Sequence, residues 1–165
     1  MMRLMSREVR VPPFVVATSF AATDAQSRVV TKLISTDQSF GTDQRTATID
    51  ADLAVLKARQ PCPTLLQTRV DGSIELRLAY SFGSMAAVAQ RQSGEHPVCD
   101  IRTASHVERW PFELTRALRE EISRVAGATG LSCFTADVLV DALGDRWWLD
   151  VNPDGLFIAA DCEEG

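Results

Sequence analysis

Two stretches of this chain are strand-forming runs separated by turns too short to hold anything but a hairpin. In the first, Thr64–Val70 leads into Asp71-Gly72, then Ile74–Phe82, Gly83-Ser84 and Met85–Arg91. In the second, Cys133–Asp141 and Arg146–Asn152 flank Leu143-Gly144. Short turns rich in glycine join antiparallel neighbours. Parallel strands need a crossover of a dozen or more residues, for which there is no room here. The chain is therefore committed to antiparallel sheet: a three-strand meander and a separate hairpin.

Helical periodicity is clearest over Pro111–Ala128, where Leu114, Leu118, Ile122 and Val125 recur at helical spacing and Glu120-Glu121 fall on the other face. Gly127 or Gly130 is placed to end it. A second helix is expected over Ala51–Arg59, with Thr48 or Asp50 as its cap, and a helical turn over Ala21–Gln26. The β-branched run Arg28–Ser35 and the shorter Phe14–Thr18 read as strands. Thr36–Gln44 and Gln92–Val107 read as polar loops, and Leu4–Pro13, ending in two prolines, as a linker. Antiparallel strands with helices between them make the fold class α+β.

The length of 165 residues sets a limit of one ordinary domain. The hydrophobic fraction of 45% is enough for a core. A net charge of -5 excludes a protein that coats nucleic acid, while leaving room for a local phosphate site. The cysteines (Cys62, Cys99, Cys133 and Cys162) form no CxxC pair, and His96 and His106 do not complete a zinc pattern. Reduced thiols and a cytoplasmic location are expected. MMRLMSREVR has no apolar run of signal-peptide type behind its positive charges, and VPPFVVATSFAA is too short and proline-broken for a membrane span.

The second hairpin carries the chemistry. With its turn centred between Leu143 and Gly144, Asp137 lies opposite Asp150 and Thr135 opposite Asn152. Directly paired side chains have Cβ atoms roughly 5 Å apart. By alternation Asp137, Trp148, Asp150 and Asn152 share a face. Two carboxylates held together repel by about 1 kcal/mol in water and several times more when partly buried. Two arrangements relieve this: one carboxyl kept protonated, as in acid dyads, or a divalent cation between them. Two carboxylates plus an amide oxygen is hard ligation that suits magnesium with phosphate oxygens completing the shell. A slipped register, or Asp-x-Asn merely entering a turn before Pro153, is the structural alternative.

The segment FTADVLVDALGDRWWLDVNPDG resembles the C-terminal magnesium hairpin of ATP-grasp ligases, with an Asp on one strand and Glu-x-Asn-Pro on the next. The paired aromatics before the motif and Asn-Pro-x-Gly after it are most similar to the peptide-modifying ATP-grasp enzymes of the microviridin (graspetide) maturase group. RimK-type ligases are more distant. VVTKLIS resembles the strand whose lysine contacts ATP phosphates, and TLLQTRV the hinge strand that receives adenine, usually Gln-Glu-aromatic-Val. SIELRLAYSFGSMAAVAQRQ resembles the Glu-Leu-Arg-Val run with its return strand, and HPVCDIR the Asp-x-Arg loop near the triphosphate. The chain departs from the pattern at Thr68, where the hinge glutamate stands, at Asp150, one methylene shorter than glutamate, and in the glycine-poor loop STDQSFG.

The resemblance implies an ATP-grasp module lacking the family's N-terminal domain, with 1–27 a linker or remnant, 28–72 the small lobe and 73–165 the C-terminal lobe carrying the metal hairpin. It implies ATP and Mg2+ as cofactors. Lys32, Gln67, Thr68, Arg69, Val70 and Glu75 are then the nucleotide contacts, Asp137, Asp150 and Asn152 the metal ligands, and Arg77 and Arg102 the groups acting on phosphate or acyl phosphate. A Glu75–Arg77 ion pair is the structural alternative for two of them. The implied reaction joins a carboxylate to an amine or hydroxyl through an acyl phosphate on a precursor peptide. The rivals are a RimK-like ligase for another carboxylate substrate and a non-catalytic homologue that binds nucleotide or peptide. A missing N-terminal half or a homo-oligomer are the expected further partners, and neither nucleic acid nor membrane is.

Overall fold

The structure, a computed structural model, describes residues 1–17, 29–33, 49–51, 64–93, 101 and 104–153. It is α+β, with antiparallel sheets as expected, but Thr64–Thr68 belongs to a different sheet from Gly72–Ser81 and Ser84–Gln92, so the expected three-strand meander reduces to a two-strand hairpin. Contacts divide the chain into a larger unit, Met1–Val11 with Val70–Pro97 and Ser105–Gly165, and a smaller one, Pro12–Arg69 with Val98–Ala104.

In the smaller unit, β1 (Phe14–Ala17), β2 (Val29–Leu33), β3 (Ile49–Ala51) and β4 (Thr64–Thr68) form a sheet in the order β1-β4-β2-β3. β4 is therefore paired on both edges, with Gln67 opposite Phe14 on one side and Val30 on the other. Ala51, expected to start a helix, instead ends β3 opposite Val29. The rest of that expected helix, the turn at 21–26 and the loop at 36–44 lie outside the described residues.

In the larger unit, β5 (Gly72–Ser81), β6 (Ser84–Gln92), β7 (Val107–Pro111), β8 (Cys133–Asp141) and β9 (Arg146–Asn152) form a sheet in the order β7-β6-β5-β8-β9. The turn at Phe82-Gly83 joins β5 to β6, and both residues have positive φ (45° and 90°), as the tight hairpin turns matched to strand twist require. Val107–Pro111 was expected to be the end of a loop and the start of a helix. It is instead an edge strand on β6, with Trp110 opposite Ala89.

The helix consequently starts later than the periodicity suggested. It spans Arg116–Thr129 (α2, following a short α1 over Met2–Met5). Thr115 caps it, with extended backbone (φ -65°, ψ 157°) and a side chain that accepts from the Leu118 N–H. Gly130, at φ 70°, ends it and donates its N–H to Ala126 O at 2.9 Å, a left-handed stop that costs glycine nothing. Leu118, Ile122, Val125 and Ala126 of α2 bury against Leu76, Leu78, Phe134, Ala136, Val138, Trp148 and Val151 of the sheet. Each large apolar side chain so buried contributes about 1.5–3 kcal/mol.

The first eleven residues do not behave as the expected linker. Met5 is fully buried in this core. Arg10 accepts a backbone hydrogen bond from Trp148 N–H at 2.9 Å, pairs its guanidinium with Asp145 and stacks over Trp147 at 5.0 Å. An edge strand left with open backbone groups is a liability, and Arg10 occupies part of the open edge of β9.

Candidate functional site

The β8–β9 hairpin sets the geometry of the acidic pair, and its turn is clamped by one side chain. Asp141 Oδ1 accepts from the N–H groups of Leu143 and Asp145, both at 2.9 Å, and Oδ2 accepts from Trp147 Nε1 at 2.8 Å. The Trp147 bond, with the two backbone donors and the charge of Arg10, holds the Asp141 carboxyl below its ordinary value. Gly144 takes the left-handed conformation the turn needs (φ 81°).

This turn is centred on Leu143 rather than between Leu143 and Gly144, which offsets the pairing by one residue, with Val140 opposite Arg146 and Val138 opposite Trp148. The register then shifts between Asp137 and Val138, a bulge that leaves Leu149 as the extra residue of β9. Beyond it Asp137 faces Asp150, Ala136 faces Val151 and Thr135 faces Asn152, as expected. The two offsets cancel at the acidic pair but not before it. Trp148 is therefore fully buried in the core, on the opposite face to Asp150 and Asn152, which corrects the expectation that all three share a side.

The face away from the core carries a polar lattice across three strands. Arg77 of β5 is paired with Asp137 of β8, which is paired with Asp150 of β9. Arg77 Nη1 donates to Asp137 Oδ1 at 2.9 Å and to Oδ2 at 3.2 Å. These side chains are only partly accessible, 21% and 28%. The alternative considered for Arg77, a same-strand pair with Glu75, gives way to this bridge, because the directly opposite position on the next strand is closer than the same-strand neighbour. Glu75 instead accepts from Gln90 Nε2 at 2.8 Å across the β5–β6 pair. Gln90 is buried and was not foreseen as a site residue. The two-residue turn that places it opposite Glu75 was the available signal.

Two atoms of this lattice lack a hydrogen-bond partner among the described residues: Arg77 Nε and Thr135 Oγ1. Thr135 is 1% exposed, and a buried hydroxyl without a partner costs about 1–3 kcal/mol. Such atoms beside two carboxylates and an amide fit a hard cation with its phosphate ligands. Among the described residues no three acidic, histidine or cysteine side chains come together, so a cation here depends on Asp137, Asp150 and the Asn152 amide. Asp150 Oδ1 accepts from Val151 N–H at 2.9 Å.

The other expected contacts are distributed as follows. Lys32 lies on β2 opposite Leu65. Gln67 is 3% exposed, and its Nε2 has no partner among the described residues. The Thr68 N–H is taken by Pro13 O at 2.8 Å, so that group is not available to an adenine. Arg69 and Val70 follow the end of β4. Arg102 lies outside the described residues, as do Cys62, Cys99 and Cys162. Cys133 is a free thiol 3.2 Å from Ser81 Oγ. A cleft of about 590 Å³ beside Phe82 and the C-terminal end of α2 has no charged side chain in its lining, which removes it as a rival phosphate site.

The fold recurs in solved structures. The chain superposes on the macrocyclase MdnC of Microcystis aeruginosa MRC, bound with precursor peptide MdnA, at a TM-score of 0.75 and 21% identity, covering 94% of this chain and 52% of that one. The chain has the ATP-grasp fold. The ATP-grasp ligase PsnB, complexed with a phosphomimetic variant of its minimal precursor, Mg and ADP, matches at a TM-score of 0.69 and 17% identity over 96% of this chain and 50% of that one. D-alanine–D-alanine ligase of Bacillus anthracis, complexed with ATP, matches at 0.59 and 13% over 92% and 53%. The chain spans about half the length of the solved structures it matches. No protein-family model matches the sequence, and no curated protein matches it. Among the described residues, no helix is long and apolar enough to cross a membrane.

Proposed function

We propose that this chain is the nucleotide-binding part of an ATP-dependent ligase that joins a carboxylate to an amine or hydroxyl, acting on a ribosomally made precursor peptide. The observation that carries it is the lattice on one face of β5, β8 and β9, in which Arg77, Asp137 and Asp150 stand in one row and Asn152 and Thr135 in the next. It is a half-buried site of mixed charge on a fold whose solved examples include ligases complexed with Mg and ADP and bound to precursor peptides.

Asp137, Asp150 and Asn152 are assigned to hold Mg2+, which supplies charge neutralisation on the phosphates when bound. Arg77, with Nε unused, is placed to donate to phosphate oxygens while Nη1 stays on Asp137. Lys32 and Arg102 are assigned to phosphate, and Gln67, Thr68, Arg69, Val70 and Glu75 to the nucleoside, with Thr68 acting through its carbonyl or side chain because its N–H is occupied. In the reaction, a substrate carboxylate oxygen attacks the γ-phosphorus and ADP leaves. The amine or hydroxyl of the second group then attacks the acyl carbon, loses its proton and expels phosphate. Fixed charge and alignment do this work, and no nucleophilic protein side chain enters it.

The test is binding of Mg-ADP and Mg-ATP by calorimetry, followed by ADP release with candidate peptides. Asp137→Ala and Asn152→Ala are expected to lose Mg-dependent nucleotide binding by tenfold or more while melting cooperatively. Unaltered binding in either variant rules out the site assignment. Binding without turnover on any carboxylate substrate makes the chain a nucleotide-binding homologue instead.

A further inference from the structure

Trp148 and Val151 are both buried in the apolar cluster. They stand three residues apart on β9, a spacing that strict alternation cannot place on one face. The turn fixes pairing at Val140–Arg146, and beyond the bulge pairing resumes at Asp137–Asp150. One surplus residue has to be absorbed between Arg146 and Asp150, and neither end dictates which. With Leu149 surplus, as observed, Trp148 fills the core position opposite Val138. With Trp147 or Trp148 surplus, Leu149 would fill it. In the first of these cases Trp148 would join Asp150 and Asn152 on the polar face, its indole beside the acidic pair.

The deciding group lies on α2. A buried indole N–H needs an acceptor, and Glu121 Oε2 accepts that of Trp148 at 3.3 Å. The same carboxylate accepts from Arg146 Nε at 3.1 Å and from Arg146 Nη2 at 2.5 Å. One helix side chain therefore holds β9 at two positions on the core side of the strand. Only 16% of that side chain is accessible, so its charge is met by these donors more than by water. Leu149 has no side-chain donor to offer in exchange. Arg10 O accepts the Trp148 backbone N–H at the open edge, which anchors the strand without giving the indole an acceptor. We propose that Glu121 is a positioning residue for the polar face: by accepting the Trp148 indole N–H it fixes the surplus residue at Leu149 and keeps Trp148 out of the position beside Asp150. Glu121 lies on the core side and acts on the opposite face through the strand. The inference rests on the ligase reading for what the cleared face binds, but not for the register.

Nuclear magnetic resonance of the labelled full chain reads the register without any turnover. The Trp148 ring is followed against the methyl groups of Val138, its partner on the core face, and of Leu139, which pairs with Glu75 on the polar face. In the unaltered chain the ring is expected to contact Val138, with its indole N–H protected from exchange. Glu121→Met keeps helix propensity and removes the acceptor. It is expected to bring Leu149 methyls against Val138, to move the ring to Leu139 and to speed indole exchange roughly tenfold or more. Glu121→Gln keeps an acceptor and is expected to hold the original contacts, as is Arg146→Met, which removes the ion pair alone. Where Glu121→Met does not melt cooperatively, Glu121→Met combined with Arg146→Met leaves neither charge of the pair behind and carries the same expectation. A Glu121→Met ring that stays on Val138, a ring that leaves without Leu149 replacing it, or a Glu121→Gln chain that shifts as far would each overturn the proposal. Mg-ADP binding separates it from the ligase reading. An unaltered chain that does not bind Mg-ADP removes the nucleotide reading and leaves the register result standing. If the unaltered chain binds, the shifted Glu121→Met chain is expected to bind several-fold more weakly, and equal affinity would overturn the role of the register in clearing the face.

Discussion

The two faces of the five-stranded sheet are built by the same strands from alternate residues, and they solve opposite problems. On one, Leu76, Leu78, Phe134, Val138 and Trp148 are buried under α2 in a continuous apolar cluster. On the other, the positions between them are Glu75, Arg77, Thr135 and Asp137, with Gln90 and Asp150 on the flanking strands. The apolar face needs only volume and shape. The polar face needs partners, and it is partly closed to water: Gln90 is 7% exposed and Thr135 1%. It meets most of that need internally, Gln90 to Glu75 and Arg77 to Asp137. Both unpartnered buried side-chain atoms among the described residues of the larger unit lie on it. Among the described residues the polar face thus leaves two side-chain atoms, Arg77 Nε and Thr135 Oγ1, without a partner.

Substitutions separate the faces. The largest effect is expected at the apolar one: Trp148→Ala removes a fully buried indole that also donates to Glu121 at 3.3 Å, and should cost about 3–5 kcal/mol in denaturant titration. Retention of full stability would show that the bulge at Leu149 is free to turn Trp148 outward. Next is Gly72→Ala at the start of β5, where an added Cβ would stand 2.6 Å from both Leu139 Cγ and Val140 O. Overpacking of this kind costs about 1–3 kcal/mol, and a neutral result would mean the β5–β8 register relaxes at its irregular end.

Smaller still is the turn clamp. Asp141 is held below its ordinary value mainly by Trp147, so its contribution is fully present above the unfolded carboxylate value of about 3.9 and is lost as pH falls through the folded one. Asp141→Asn should therefore lower the melting temperature at neutral pH, with the gap closing in acid. A gap independent of pH would assign the loss to packing. No loss of stability is expected from Thr135→Val on the polar face, and a gain is, since the substitution removes a buried hydroxyl that has no partner among the described residues. Nucleotide affinity should nonetheless fall several-fold by calorimetry, and an unchanged affinity would return Thr135 to a structural role.

Much of the fold was legible because it is local. The glycine turns at Gly83 and Gly144 announced two hairpins, and Leu118, Ile122 and Val125 announced the buried face of α2. β7 was missed because VERWP is short and charged, and only its pairing with β6 makes it a strand. The helix start was misjudged because Pro111 suits a first turn, while Thr115 makes the actual cap. The docking of Met5 and Arg10 carried no periodic signal at all.

The candidate site divides in the same way. Sequence by itself determined that a short glycine turn pairs the two strands and brings Asp137 and Asp150 near each other, while their direct opposition depends on a bulge that cancels a one-residue offset at the turn. Only tertiary structure decided which way Trp148 points, since a one-residue bulge reverses a face, and that Arg77 pairs with Asp137 rather than with Glu75. That choice was made by β5 lying beside β8, a pairing that the intervening β6, β7 and α2 separate in the chain and that no local pattern can specify.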